Sequence, residues 1–453
     1  MKTNFQTECF FRELYTEHID SATFHYEQRI RIYSNPETTW LRIGEFEERF
    51  EANIDALVDG GDSAVEICRQ QAIDGDTGAL HAAVCVFCRL GRKDMILDVF
   101  EKLDPEDIER MQAVSDALNL EMPSEWKDDF VSMLSTCGSM QHHIIARLIG
   151  YRRFPAINEL LKALSEKSSV HPFSILWALG RLNDQAARPL ILSKYLRHED
   201  ETVSEEAAHA LLRMGEPEAL KYCLQSVPSQ DWPDTFIGIS AGRSALAALF
   251  NKAAQEKPKA SCLIGLGLLG DISAVETLLG RLVDPGAAEA AALALNLMTG
   301  AEIYEDAFIP DEMDEDELFP EELEKFRQGQ PPTKPDGAPY GVTITRLSQK
   351  PEDWQKWWAN NASQFKAGNR YRSGKLFTPA CLLENIEYEK TPHQIRQLAY
   401  EELVIRYGVD FPFEANMYVT QQKRIIKDIA RWVAANSTRF QPGAWYFAGQ
   451  VIS

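Results

Sequence analysis

The chain has 453 residues, a formal net charge of −21 at pH 7, 45% hydrophobic residues and 25% charged residues. That balance suits a folded chain in water, and no apolar run approaches the roughly 20 residues a membrane-crossing helix needs. The length excludes one small core and leaves several domains, at about 150 residues each, or one extended core.

Charge is unevenly placed: residues 326–453 hold 17 basic and 11 acidic side chains, net +6, while residues 1–325 carry −27. So acidic a stretch repels a phosphate backbone, which speaks against nucleic acid as a partner and for a basic protein. Screening confines this steering to about 8 Å at physiological salt. The opening Met1–Glu8 lacks the apolar stretch of a secretory signal, so a cytoplasmic location and no membrane partner are expected.

Residues 1–60 read as an N-terminal helical cap, with Ile19, Ala22 and Tyr26, then Leu41, Ile43 and Phe46, at helical spacing. From 61 to 300 a phrase recurs: a helix rich in small residues, a Leu-Gly or Met-Gly break, then a second apolar helix. The break glycines Gly91, Gly150, Gly180, Gly215, Gly270 and Gly300 lie 59, 30, 35, 55 and 30 residues apart. Two intervals near double the others imply a unit of roughly 30 residues, the mark of stacked supersecondary units. Each glycine is expected to supply the left-handed turn inside a helical pair. Residues 301–340 read as a linker, first acidic (12 acidic residues and one Lys over 301–325) and then Pro-rich at Pro331–Gly337. Residues 341–453 read as a mostly helical region packing on the solenoid as irregular repeats. It opens with a short strand at Val342–Thr345, and helices follow at Pro351–Phe365, Gln394–Tyr407 and Val419–Ala435. The fold class is therefore all-α: an α-α superhelix with an irregular C-terminal region.

Few constellations point to chemistry. His81, Cys85 and Cys88 share a helix face at metal-ligand spacing, but no second ligand pair follows, so buried packing is expected. The eight cysteines (Cys9, Cys68, Cys85, Cys88, Cys137, Cys223, Cys262, Cys381) read as buried thiols. His142 and His143 are adjacent and face different ways. The acidic run at 311–317 lacks the glycine turn and bidentate Glu of a calcium loop and reads as a solvated tether. Gly265–Gly270 spells GxGxxG but follows a helix, so it is accidental. No catalytic residue, metal site or cofactor is expected. The densest unusual cluster is Trp354, Trp357 and Trp358 with Phe365, Arg370, Tyr371, Arg372 and Lys375. Aromatic and Arg side chains together build binding hot spots, and they equally build structural clamps. Trp354, Trp357, Arg370, Tyr371 and Arg372 are the candidate partner-binding residues.

The repeats over about residues 63–300 resemble HEAT repeats. The Glu17–Arg29 opening, the Leu-Gly breaks and the Trp354–Gly374 segment resemble a bacterial HEAT-repeat family often encoded near type VI secretion components. That resemblance implies a HEAT-like solenoid without established catalytic residues. It further implies a non-enzymatic scaffold binding a secretion effector or toxin, most simply as an immunity protein whose acidic concave face covers a basic patch. An effector chaperone or adaptor, or an assembly factor of the secretion apparatus, is the alternative. HEAT-like enzymes of the DNA glycosylase or bilin lyase type are a further one, weakened by the −27 charge and by the lack of a locatable pigment pocket.

Overall fold

Helical pairs fill the chain from Gly61 to Thr299. A computed structural model describes all residues except 1, 36–37, 137, 166–171, 312–317, 330–331 and 335–336. The pairs are Gly61–Asp74 with Thr77–Arg89, Lys93–Lys102 with Ile108–Glu121, Lys127–Met133 with Ser139–Arg152, and Ile157–Ser165 with Phe173–Leu182. They continue as Arg188–Lys194 with Glu201–Arg213, Pro217–Ser226 with Pro233–Ser240, Leu246–Ala253 with Ala260–Leu269, and Val275–Arg281 with Ala288–Thr299. The second helix of each pair stacks on the second helix of the next, forming a closely packed layer. In a curved array that layer is the inner one, and the first helices form the outer one. The inner helices Thr77–Arg89, Phe173–Leu182, Pro233–Ser240, Ala260–Leu269 and Ala288–Thr299 are largely apolar, as buried helices must be, while Ile108–Glu121, Ser139–Arg152 and Glu201–Arg213 also carry charged and polar residues. Leu80, Leu118, Leu148, Leu179, Leu211 and Leu266 are fully buried in one continuous core, where truncation of one Leu to Ala costs about 2–5 kcal/mol.

The break glycines divide into two kinds. Gly91, Gly215, Gly270 and Gly300 have φ between 59° and 74°, the left-handed conformation expected of them, but each follows the second helix of a pair, so the turn leads out of one pair instead of joining its two helices. Gly150 and Gly180 instead lie inside the helices Ser139–Arg152 and Phe173–Leu182, and the left-handed turns fall on Arg153 and Asn183. These two glycines serve close approach. A Cβ on Gly150 would sit 2.5 Å from the Trp177 ring, and one on Gly180 would sit 2.9 Å from Ala210 Cα. The GxGxxG string follows the same logic: Gly265 and Gly267 lie in the helix Ala260–Leu269 against Asp234 and Ala294.

Arginines at helix ends tie neighbouring repeats. Arg110 donates to the carbonyls of Ala72 (2.7 Å) and Gly75 (2.6 Å), Arg213 to Gly180 (2.9 Å), and Arg281 to Gln255 (2.9 Å). Each guanidinium satisfies carbonyls left open at a helix C-terminus, where the helix dipole also favours positive charge.

At the start of the chain, Lys2–Ser34 packs on Ile43–Asp59 and on the first inner helix. The segment expected to be a linker differs from that reading: Tyr304–Pro310 is a strand paired antiparallel with Gly341–Leu347, and Pro320–Arg327 is a short helix. Alternating Tyr304, Asp306 and Phe308 opposite Leu347, Thr345 and Thr343 give the period of two that a hairpin requires. Of the 311–317 run only Asp311 lies within the described residues, its N–H donating to the Tyr340 carbonyl (3.1 Å).

The C-terminal region does not extend the array. It consists of the helices Pro351–Asn361, Pro379–Glu387, His393–Tyr407 and Val419–Asn436 and two small hairpins at Tyr371–Leu376 and Trp445–Ile452. His393–Tyr407 and the hairpins fold back on the inner layer, while Pro351–Asn361 packs on the outer helix Val275–Arg281. His393–Tyr407 lies against Glu201–Arg213 and Pro233–Ser240. Ser373 N–H donates to Leu297 O (2.7 Å) and Trp445 Nε1 to Leu269 O (3.0 Å). The region has its own core, with Phe377, Leu382, Tyr400, Leu403, Phe413 and Ile429 joined by Trp40 and Ile43 from the N-terminal part. It thus bridges the two ends of the superhelix.

Candidate functional site

Four of the five candidate contact residues are interior. Trp354 is 1% exposed, and its Nε1 donates to Ser348 O (2.7 Å). Tyr371 is buried, accepting from the Lys366 N–H (2.6 Å) and packing edge-on against Phe365. Arg370 and Arg372 are fully buried. Trp357 is half-buried beside Phe365. These residues are a clamp between the C-terminal region and the repeats, not a surface for a partner. A guanidinium has no cheaper place inside a protein than beside carboxylates and open helix-end carbonyls, and both are found here.

Glu402 is the centre of that clamp. Its carboxylate accepts from Arg370, Arg372 (2.7 Å) and Arg406 (2.6 Å), and all four side chains are fully buried. Arg370 also donates to Leu268 O (2.8 Å) and Leu269 O (3.0 Å), and Arg406 donates to Gly238 O and Ala241 O (3.1 Å each). Burial would push the Glu402 carboxyl up, but the three guanidinium groups outweigh it and hold it below the usual range. Burial, with Arg370 adding repulsion, brings Arg406 down to about 9.

A second clamp is centred on the adjacent residue of the same helix. Glu401 accepts from Arg213, Arg181 (3.3 Å) and His209 (3.0 Å), and Glu414 accepts from Arg181 (3.0 Å). Arg213 and Arg181 hold Glu401 well below its usual value against the opposing effect of burial. Trp177 is sandwiched by the guanidinium groups of Arg147 (4.0 Å) and Arg181 (4.2 Å). A third joins the chain's beginning to its C-terminal region: Arg29 pairs with Glu47 (2.9 Å), whose other oxygen accepts from Val419 N–H (2.7 Å). The first two clamps set the chain's own C-terminal residues against the inner helices Phe173–Leu182, Glu201–Arg213, Pro233–Ser240 and Ala260–Leu269. Over that stretch the inner face expected to receive a partner is occupied by the chain itself.

The other candidate chemistry resolves into packing. His81, Cys85 and Cys88 are buried in the helix Thr77–Arg89, with His81 stacked 3.8 Å from Tyr26. Burial lowers His81 to about 3 and raises both thiols. Cys68, Cys223, Cys262 and Cys381 are buried free thiols too, Cys9 is exposed, and Cys137 lies outside the described residues. His142 bonds the carbonyls of Gly138 (2.9 Å) and Leu134 (2.8 Å), and His143 bonds Ser174 Oγ (2.6 Å).

Open space lies where the two ends of the superhelix meet. A cleft of about 580 Å³ is bounded by the helix Ala288–Thr299, the strand Tyr304–Pro310 and residues 384–392. A second, of about 560 Å³, lies between residues 32–43, the start of Ala260–Leu269 and the helix Ala288–Thr299. Leu293, Lys390, Thr391 and Pro392 line both, so the clefts adjoin across the Lys390–Pro392 ridge. Both volumes fall in the range of ligand sites, roughly 300–1,000 Å³. Sequence reasoning missed this seam because its walls come from three distant stretches.

Residues 143–235 match a family model described as HEAT repeats, and they span the array from Ser139–Arg152 into Pro233–Ser240. None of the curated proteins compared matches the chain. No helix is long and apolar enough to cross a membrane among the described residues.

Proposed function

From the HEAT-like superhelix as premise, we propose that this chain is a non-enzymatic, cytoplasmic scaffold that binds a basic protein, and that its partner is a type VI secretion effector held as by an immunity protein. HEAT arrays commonly mediate protein–protein contact, which supports the general part. The observation carrying most weight is the set of buried Arg–Glu clamps. They lock the superhelix closed around its own C-terminal region, so it presents a preorganised outer surface and seam instead of an empty groove. The net charge of −21 favours a basic partner and fast encounter. The specific role rests on the family resemblance and on that charge.

The test is coexpression with a type VI effector encoded beside this chain's gene. A stable complex that abolishes toxicity is the expected result. An effector that stays toxic but becomes soluble or secreted replaces immunity with the chaperone role, and the absence of any complex rejects both.

A further inference from the structure

We propose that the two adjoining clefts at the seam form one docking groove for an extended, basic segment of a partner polypeptide. This rests on the protein-binding reading and adds a place and a chemistry to it. The floor is apolar, with Leu293 shared by both lobes, Ala290 and Ile264 in one and Leu297 and Ile395 in the other. Tyr33 and Trp40 wall the second lobe, Tyr304 and Tyr388 the first. A ridge dividing two lobes suits an extended strand, whose side chains enter successive pockets, better than a helix about 10–12 Å across.

Charge selects the occupant. Glu289, Glu302, Glu384, Glu387 and Glu389 line the groove, against Lys375 and Lys390. Lys375 is spent on Glu384 (2.7 Å), leaving an excess of carboxylates. Lys390 Nζ sits 5.5 Å over the Tyr304 ring, which shows that this wall accepts an ammonium group. Burial with neighbouring Glu384 raises Glu387, and burial with a hydrogen bond to Glu302 raises Tyr388 to about 12. In both, burial is the larger cause and the neighbouring carboxylates add to it, and an incoming Lys or Arg would relieve that second part.

The full chain is titrated with a fluorescein-labelled peptide of alternating arginine and leucine, read by fluorescence anisotropy. Saturable one-site binding that weakens with salt is expected. It should weaken about tenfold in Glu387→Lys/Glu389→Lys, where exposed charges are reversed without touching the core, and also in Leu293→Arg, which blocks the shared floor. Unchanged affinity in both variants overturns the proposal. So does equal binding of an alternating glutamate–leucine peptide, or displacement by spermine at the concentration of the peptide itself. If both variants still neutralise the effector while the peptide fails to bind, the groove falls and the scaffold stands. If the wild-type chain binds the peptide in the groove yet leaves the effector toxic, the groove stands and the immunity reading falls.

Discussion

Replacing Glu402 by Gln tests the clamp with almost no change of shape. In the native chain three buried guanidinium groups converge on this carboxylate: Arg372 on one oxygen, Arg370 and Arg406 on the other. An amide offers one acceptor oxygen and turns an N–H₂ toward at least one guanidinium, leaving it without its anion. Removing one partner of a buried ion pair costs about 3–5 kcal/mol, a large part of the about 5–15 kcal/mol that holds a protein together. The assay is urea unfolding at pH 7, followed by tryptophan fluorescence and by circular dichroism. Glu384→Gln serves as control, because its Lys375 pair is exposed and worth about 1 kcal/mol or less. The sign with pH is also determined. The folded pKa of Glu402 is depressed, so its contribution is complete above the unfolded value near 4.5 and is lost as pH falls through the folded value. The gap between wild type and Glu402→Gln must therefore narrow in acid. A variant within about 1 kcal/mol of wild type at pH 7 would refute the reasoning, since no buried charge would then depend on this carboxylate.

Other outcomes follow from single contacts. Burial depresses His81 to about 3 and His393 to about 4, so both stay neutral in the folded chain while the unfolded chain takes up protons below pH 6.5. Stability should fall by about 1.4 kcal/mol per pH unit per histidine from pH 6.5 downward, and His81→Phe, stacked on Tyr26, should remove one share of that slope in acid-unfolding curves. Gly150→Ala should cost about 1–3 kcal/mol by forcing a Cβ onto the Trp177 ring, despite the better helix propensity of Ala. Gly91→Ala meets open space at φ 69° and should cost about 1–2 kcal/mol in thermal melts, from backbone strain alone. Arg29→Ala strands the buried Glu47 and should speed amide exchange at residues 416–419 before the repeats loosen.

The superhelix was legible because its signal is local. A recurring break and small-residue helices report a period, and the period reports stacked pairs. What each glycine does was less legible: Gly150 and Gly215 look alike in sequence, yet one serves close packing and the other a turn, which only the neighbouring repeat decides. Strand pairing across Tyr304–Pro310 and Gly341–Leu347 was half visible, since the alternation at Val342–Thr345 stands out while its partner lies inside an acidic stretch. The clamps were hidden because Arg181 and Glu414, or Arg213 and Glu401, are about two hundred residues apart. One trace existed: arginines recur beside the breaks, at Arg89, Arg152, Arg181 and Arg213. A charged residue fixed at the edge of an apolar repeat announces a buried partner. The Trp354–Arg372 cluster was conspicuous for the same reason, but composition alone does not separate an inward clamp from an outward hot spot.

The account depends most on the inner face of the superhelix being filled by the chain's own C-terminal region. Hydrogen exchange of the free protein, resolved by peptide and repeated in increasing urea, tests that directly. The helix His393–Tyr407 should exchange as slowly as Glu201–Arg213 and Pro233–Ser240, with the same urea dependence, because the three are expected to open in one cooperative event. Rapid, urea-independent exchange of His393–Tyr407 over still-protected repeats would contradict it and return the concave face to the partner.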